Sequence, residues 1–173
     1  NTLRVFEHIN RPHIPVYRGC ELPMVSTLTP GRKPNQPALQ RSVIHGDWLP
    51  IPPATIKVQP QQAVNYLIET YMSTSDEITL VPVGPLTNVA MALRLEPRIA
   101  QRIPELVIMG AGHAIGNITP SAEFNWWVDP EAARIVMLAG IPTRLVPLDA
   151  THAAYITYDE AVQLEKLGTP AAT

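Results

Sequence analysis

The sequence predicts an α/β fold, a three-layer, Rossmann-like arrangement in which helices flank a mostly parallel sheet. Three observations predict it. Short apolar runs rich in Val, Ile and Leu lack clean alternation, as strands do when both faces of a parallel sheet are covered. Segments with helical periodicity lie between those runs, so strands and helices alternate as in βαβ units. The 173 residues, 46% of them hydrophobic, suffice for one domain with a sizeable core.

Taken in order, the first strand is expected over residues 14–17. A long surface excursion follows over residues 23–60. It holds Pro23, Pro30, Pro34, Pro37, Pro50, Pro52, Pro53 and Pro60, and it lacks periodicity. The chain has 19 prolines, roughly twice the usual share, and unstructured loops of this length are commonly functional or mobile. After Pro60, Val64, Leu67, Ile68 and Tyr71 follow i, i+3, i+4, i+7 spacing and predict a helix. A strand over 78–83 comes next, then a helix carrying Leu86, Val89, Ala90 and Leu93, which should stop before Pro97. Residues 106–109 read as a strand. The best-marked helix begins at Asp129: Asp129 caps it, Pro130 suits the first turn and Glu131 favours the positive end of the dipole. Its apolar face is Ala132, Ile135, Val136 and Ala139, and Gly140 ends it. A strand over 143–148 and a helix around 158–167 complete the reading.

Several function classes are disfavoured. The net charge is −2 with charges scattered, whereas nucleic acid or an anionic membrane calls for a basic patch. No apolar run approaches the roughly 20 residues needed to span a bilayer. Cys20 is the single cysteine; it has no intrachain disulfide partner and no metal-ligand spacing, so a reducing, cytoplasmic setting is expected.

In parallel sheets, ligands bind beyond the carboxyl ends of the strands. That directs attention to Pro82-Val83-Gly84-Pro85, to Met109-Gly110-Ala111-Gly112, to residues 113–125 and to Asp149. Gly110-Ala111-Gly112 follows a strand as a dinucleotide fingerprint would, but the next glycine, Gly116, comes one residue late and no helix opens there. A tight turn with close backbone approach is the reading we adopt. Glu123 and Asn125 are set among bulky apolar residues, where polar groups are costly to bury unless bound. In extended backbone their i, i+2 spacing puts both side chains on one side, with Phe124 opposite. Such a pair suits the vicinal hydroxyls of a sugar, or equally a buried contact with main chain. Asn117 reads as a turn residue. Asp149 and His152 follow a strand; Asp149 either faces the site, caps the helix around 158–167 or makes a loop contact. Thr87 and Asn88 are read as satisfying donors at a helix start. His45, in Val43-Ile44-His45-Gly46-Asp47, is either a proton donor to a leaving group or a solvated loop histidine.

These blocks resemble a known family. Val81-Pro82-Val83-Gly84-Pro85-Leu86-Thr87-Asn88-Val89-Ala90, Val107-Ile108-Met109-Gly110, Gly116-Asn117, Ala122-Glu123-Phe124-Asn125 and Val128-Asp129-Pro130-Glu131-Ala132-Ala133 are similar, in order and spacing, to the inosine–uridine-preferring nucleoside hydrolases. Pro15-Val16-Tyr17 through Pro23 and Ile44-His45-Gly46 resemble earlier parts of the same family. The resemblance implies cleavage of the N-glycosidic bond of ribonucleosides to ribose and free base, with Ca²⁺ holding the ribose hydroxyls and the attacking water. It implies that Met109, Asn117, Glu123 and Asn125 bind ribose, that the Val83 main-chain carbonyl is a Ca²⁺ ligand, and that His45 acts near the base.

The family's aspartate-rich signature, D-x-D-x-x-x-D-D, is not in this chain, nor is its C-terminal His-Asp pair. The expectation is therefore a single partial hydrolase domain over 1–173, the middle of such an enzyme. The signature would lie ahead of Asn1, and the 173 residues alone would hydrolyse nothing. Exposed sheet edges would then invite a homo-oligomer or association with another chain. Two alternatives stand beside this reading: an inactive relative that binds sugars or nucleosides, and a structural or interaction module of the same fold.

Overall fold

The computed structural model describes residues 1–25 and 49–172. Most of the Pro-rich excursion, His45 included, lies outside the described residues. The chain divides into two compact units, one formed by Asn1–Arg18, Asn35–Gln61 and Tyr155–Thr173, the other by Gly19–Pro34 and Gln62–Ala154.

The first unit contains helix α1 (Thr2–His8), the two-residue strand β1 (Tyr17–Arg18) and strand β2 (Gln59–Gln62), which pair with each other. The strand expected over 14–17 shrinks to β1 because Pro15 has no N–H to give a ladder and the Ile14 amide is spent in a turn, on the Arg11 carbonyl. Glu7, on α1, accepts hydrogen bonds from the Thr55 amide and hydroxyl and from the Ile56 amide. The last helix, α7 (Tyr158–Glu165), begins with a reciprocal capping box between Thr157 and Glu160. Neither α1 nor α7 buries a residue.

The second unit holds the core. Helix α2 (Ala63–Ser73) follows β2 and buries Val64 and Tyr71, as their spacing predicts. Tyr71 is 2% exposed, and its hydroxyl donates to the Ile78 carbonyl at 3.1 Å. Helix α3 (Thr87–Leu95) buries Val89, Ala90, Ala92 and Leu93 and ends two residues before Pro97, where a 3₁₀ turn spans Pro97–Gln101. Strand β3 (Leu106–Met109) pairs in parallel with β4 (Thr143–Val146), Leu106 opposite Thr143 and Met109 opposite Val146. Leu106 and Ile108 point to one face and are fully buried, worth about 1.5–3 kcal/mol each. They join Leu86, Val89, Ile99, Ala132 and Val136 in one apolar cluster.

The second expected strand, 78–83, lies beside β3 without becoming a full strand. The Leu80 amide donates to the Glu105 carbonyl, and the Val107 and Met109 amides donate to the Leu80 and Pro82 carbonyls. Pro82 cannot donate in return, so the pairing is reduced to a single parallel bridge between Leu80 and Leu106. Helix α4 (Phe124–Val128) is a short element that periodicity did not announce. Helix α5 (Pro130–Met137) is the well-marked one: Asp129 accepts from the Ala132 amide, and Gly140 beyond it has φ +74°. The strand expected over 143–148 stops at Val146, because Pro147 cannot extend the ladder and Leu148 opens helix α6 (Leu148–Ala153).

Candidate functional site

β3 and the 78–83 segment run parallel, so both deliver their carboxyl ends to one place. β3 ends at Met109 and the neighbouring segment at Val83. The first turn of α4 lies there too. An isolated first turn leaves amide donors unsatisfied, and two side chains answer them. Asn117 Oδ1 accepts from the Phe124 amide at 2.9 Å. The Glu123 carboxylate accepts from Asn125 at 2.8 Å and from Trp126 at 3.2 Å. Glu123 Oε2 also accepts from the Ala111 amide at 3.1 Å, which ties the loop after β3 to the start of α4.

Asn125 completes the cluster. Its amide nitrogen donates to the Met109 carbonyl and lies as near the Met109 sulfur, both at 3.2 Å; a longer contact of 3.5 Å reaches the Val83 carbonyl. Glu123 and Asn125 are 3% and 8% exposed. Hydrogen-bonded burial of this kind fixes both groups in one orientation. The extended backbone expected for 123–125 is corrected: Glu123 is extended, at φ −87° and ψ 147°, but Asn125 lies in α4. Side chains two apart on a helix do not face each other, so the pair meets around the end of β3 rather than along a strand.

Glycine positions follow from close approach. A Cβ on Gly110 would collide with the Trp126 indole, and one on Gly116 with the backbone of Thr119 and Ala122. Among the described residues, the Trp126 indole N–H is buried without an acceptor. The left-handed residue of the 110–112 turn is Ala111, at φ +64°, rather than a glycine.

Asp129 and Asp149 have structural work. Asp129 is fully buried; besides capping α5 it accepts from the Thr87 hydroxyl at 2.6 Å and the Met24 amide at 2.9 Å. Thr87 is therefore not a helix cap, and Asn88 is not one either: its Oδ1 accepts from the Cys20 amide at 2.8 Å. Of the alternatives for Asp149, the loop contact is the one found. Its oxygens accept from the His113 and Ala114 amides at 2.7 and 2.9 Å, and those donors hold its carboxyl below the usual aspartate range. The cap of α7 is Thr157 instead.

The structure thus brings Val83, Met109, Asn117, Glu123 and Asn125 into one cluster. Sequence reasoning did not find the Ala111 amide, which a backbone group does not advertise, or the Thr87–Asp129 pair, whose members lie 42 residues apart. Among the described residues, no three His, Cys, Asp or Glu side chains come together to hold a metal ion. Ca²⁺ takes six to eight oxygen ligands, and these residues alone do not provide them. Among the same residues, no helix is long and apolar enough to cross a membrane.

Fold and cluster define an α/β protein with buried polar groups at the carboxyl ends of parallel strands, the place where such sheets hold small ligands. Residues 1–173 match the inosine–uridine preferring nucleoside hydrolase family, and the chain belongs to it. A pyrimidine-specific ribonucleoside hydrolase, RihB, of Shigella flexneri serotype 5b is 40% identical over 163 residues, 92% of this chain and 49% of that protein. RihB of Escherichia coli O157:H7 (strain EC4115) is likewise 40% identical, with the same coverage. The chain spans about half the length of the curated relatives it matches. Among solved structures, a purine-preferring ribonucleoside hydrolase from Gardnerella vaginalis superposes with a TM-score of 0.85 at 30% identity, covering 99% of this chain and 56% of that one. The plant nucleoside hydrolase PpNRh1 gives 0.80 at 28% identity, over 99% of this chain and 54% of its own.

Proposed function

We propose that this chain provides the ribose-holding part of a ribonucleoside hydrolase, an enzyme that cleaves the N-glycosidic bond of a nucleoside to ribose and free base. The observation that carries this reading is the burial of both Glu123 and Asn125 at the strand ends. A carboxylate has about four acceptor positions, and main-chain amides take three on Glu123, which leaves one for a sugar hydroxyl. The Asn125 amide oxygen accepts from a second hydroxyl. Met109 lies against the sugar, and Asn117 holds the turn of α4 that presents both groups. We assign His45 to the neighbourhood of the base.

The Val83 carbonyl is the one oxygen we assign to Ca²⁺; carboxylate ligands have to come from outside the described residues. The single domain expected over 1–173 belongs to this reading, as does a reducing, cytoplasmic setting. The 173 residues by themselves should release no ribose, because the aspartate-rich signature, from which the resemblance draws the general base, is not among them.

In the whole protein, Asn125→Ala should cut ribose release from uridine and inosine about a hundredfold or more, the equivalent of roughly 3 kcal/mol of lost transition-state hydrogen bonding. A reducing-sugar assay measures it, with a melting curve to confirm folding. Near-normal turnover in a folded variant refutes the ribose assignment.

A further inference from the structure

The loop between β3 and Asn117 is held from two sides. On one side Glu123 Oε2 accepts from the Ala111 amide at 3.1 Å. On the other, the Leu148 amide donates to the Ala111 carbonyl at 2.9 Å. One residue further along α6, Asp149 takes the His113 and Ala114 amides in a two-pronged grip, one on each carboxylate oxygen. Ala111 has φ +64°, a conformation that a residue with a Cβ keeps only when its surroundings hold it there. Released from Asp149, the loop would relax towards φ below zero and turn the Ala111 amide away from Glu123. The Glu123 carboxylate would then lose one of the three donors that orient it.

We propose that Asp149 is a positioning residue for the ribose site: by clasping the His113 and Ala114 amides it keeps Ala111 left-handed, and Ala111 in turn fixes the Glu123 carboxylate. This rests on the reading of Glu123 and Asn125 as ribose contacts. Asp149 itself touches no substrate; it acts at second hand, through main chain. Its position in the first turn of α6, at the end of β4, gives the clasp a rigid base.

The test uses the whole enzyme and three variants: Asp149→Ala, Asp149→Asn and Asn125→Ala. Asp149→Ala should raise KM for uridine and lower kcat/KM by about ten- to a hundredfold. It should also speed hydrogen exchange at the amides of residues 111–114, leaving exchange in the cores of β3 and α5 unchanged. Asp149→Asn keeps one carbonyl oxygen as acceptor, so it should recover part of the loss and fall between wild type and Asp149→Ala. A merely structural role would lower the melting temperature without raising KM and without recovery by Asn. The clasp is overturned if exchange at 113 and 114 does not change, or if it rises while kcat/KM stays within twofold of wild type. If Asn125→Ala keeps near-normal turnover, the ribose reading itself fails and takes the clasp's purpose with it. If Asn125→Ala is inactive and Asp149→Ala is normal, only the clasp fails.

Discussion

Replacing Asp129 by alanine should be among the most damaging single changes in the second unit. The carboxylate is fully buried and serves three donors from three parts of the chain: the Ala132 amide at 3.1 Å, the Thr87 hydroxyl at 2.6 Å and the Met24 amide at 2.9 Å. Loss of the α5 cap costs about 1 kcal/mol. A buried donor left without an acceptor costs about 1–3 kcal/mol. Thr87 is 7% exposed and should be charged near the middle of that range, whereas the half-buried Met24 amide can recruit water and falls at the low end. The sum is roughly 3–5 kcal/mol. In urea, with a slope of about 2 kcal/mol per molar, the unfolding midpoint should fall by roughly 2 M. Tryptophan fluorescence reads it. Asp129→Asn keeps an oxygen for the cap and should lose about half as much. A shift below about 0.5 M for Asp129→Ala would mean that the residue is only a helix cap, and the three-way junction would be refuted.

Two further outcomes follow from local geometry. Gly110→Ala pushes a Cβ into the Trp126 indole, so it should cost about 1–3 kcal/mol through overpacking and change the near-ultraviolet circular dichroism of the tryptophans; an unaltered spectrum and melting point would contradict the close approach. Glu96 titrates at about 2 because the Arg98 guanidinium hydrogen-bonds it, at 2.7 and 2.6 Å. A carboxyl with a depressed folded-state pKa adds stability above its ordinary value of about 4.5, and that stability disappears as pH falls towards 2. Arg98→Ala should therefore be less stable than wild type at pH 6, by a small margin since Arg98 is 73% exposed. The gap should close between pH 4.5 and 2 in denaturation midpoints taken across that range, and a constant gap would argue against the pair.

The elements that the sequence announced are those whose signals are local. The Asp129–Pro130 start of α5 depends on neighbours within one turn and is where it was expected, whereas the helix ends at Met137, ahead of Ala139 and Gly140. Also in its expected place is β3, whose Val-Ile core carries its own β preference. α4 stayed hidden for a physical reason: Phe124, Trp126, Trp127 and Val128 are poor helix formers, and the cap is a glutamate, outside the usual capping residues. Its stability comes from Asn117, Glu123 and the end of β3, contacts that no window of sequence displays. The family resemblance named Val83, Met109, Asn117, Glu123 and Asn125, and these five do come together at the strand ends. Their geometry was not, because it depends on a helix that the pattern concealed. The 78–83 strand was over-read: its apolar content was right, but Pro82 removes a ladder donor.

The parallel register of β3 and β4 acts as a ruler for everything above it. Met109 opposite Val146 sets how far Leu148 and Asp149 stand from Ala111, His113 and Ala114, although the two strands are more than thirty residues apart in sequence. A slip of one residue would displace one strand end by about 3.3 Å and turn every side chain to the opposite face. That exceeds the tolerance of a hydrogen bond, so both prongs of the Asp149 contact would open together. The alignment of the polar groups at the strand ends is thus inherited from Leu106 and Ile108, whose burial forbids the slip. A conservative change deep in the sheet, Ile108→Val for instance, tests packing alone, whereas a polar residue at Ile108 would disturb the polar cluster at the strand ends without touching it.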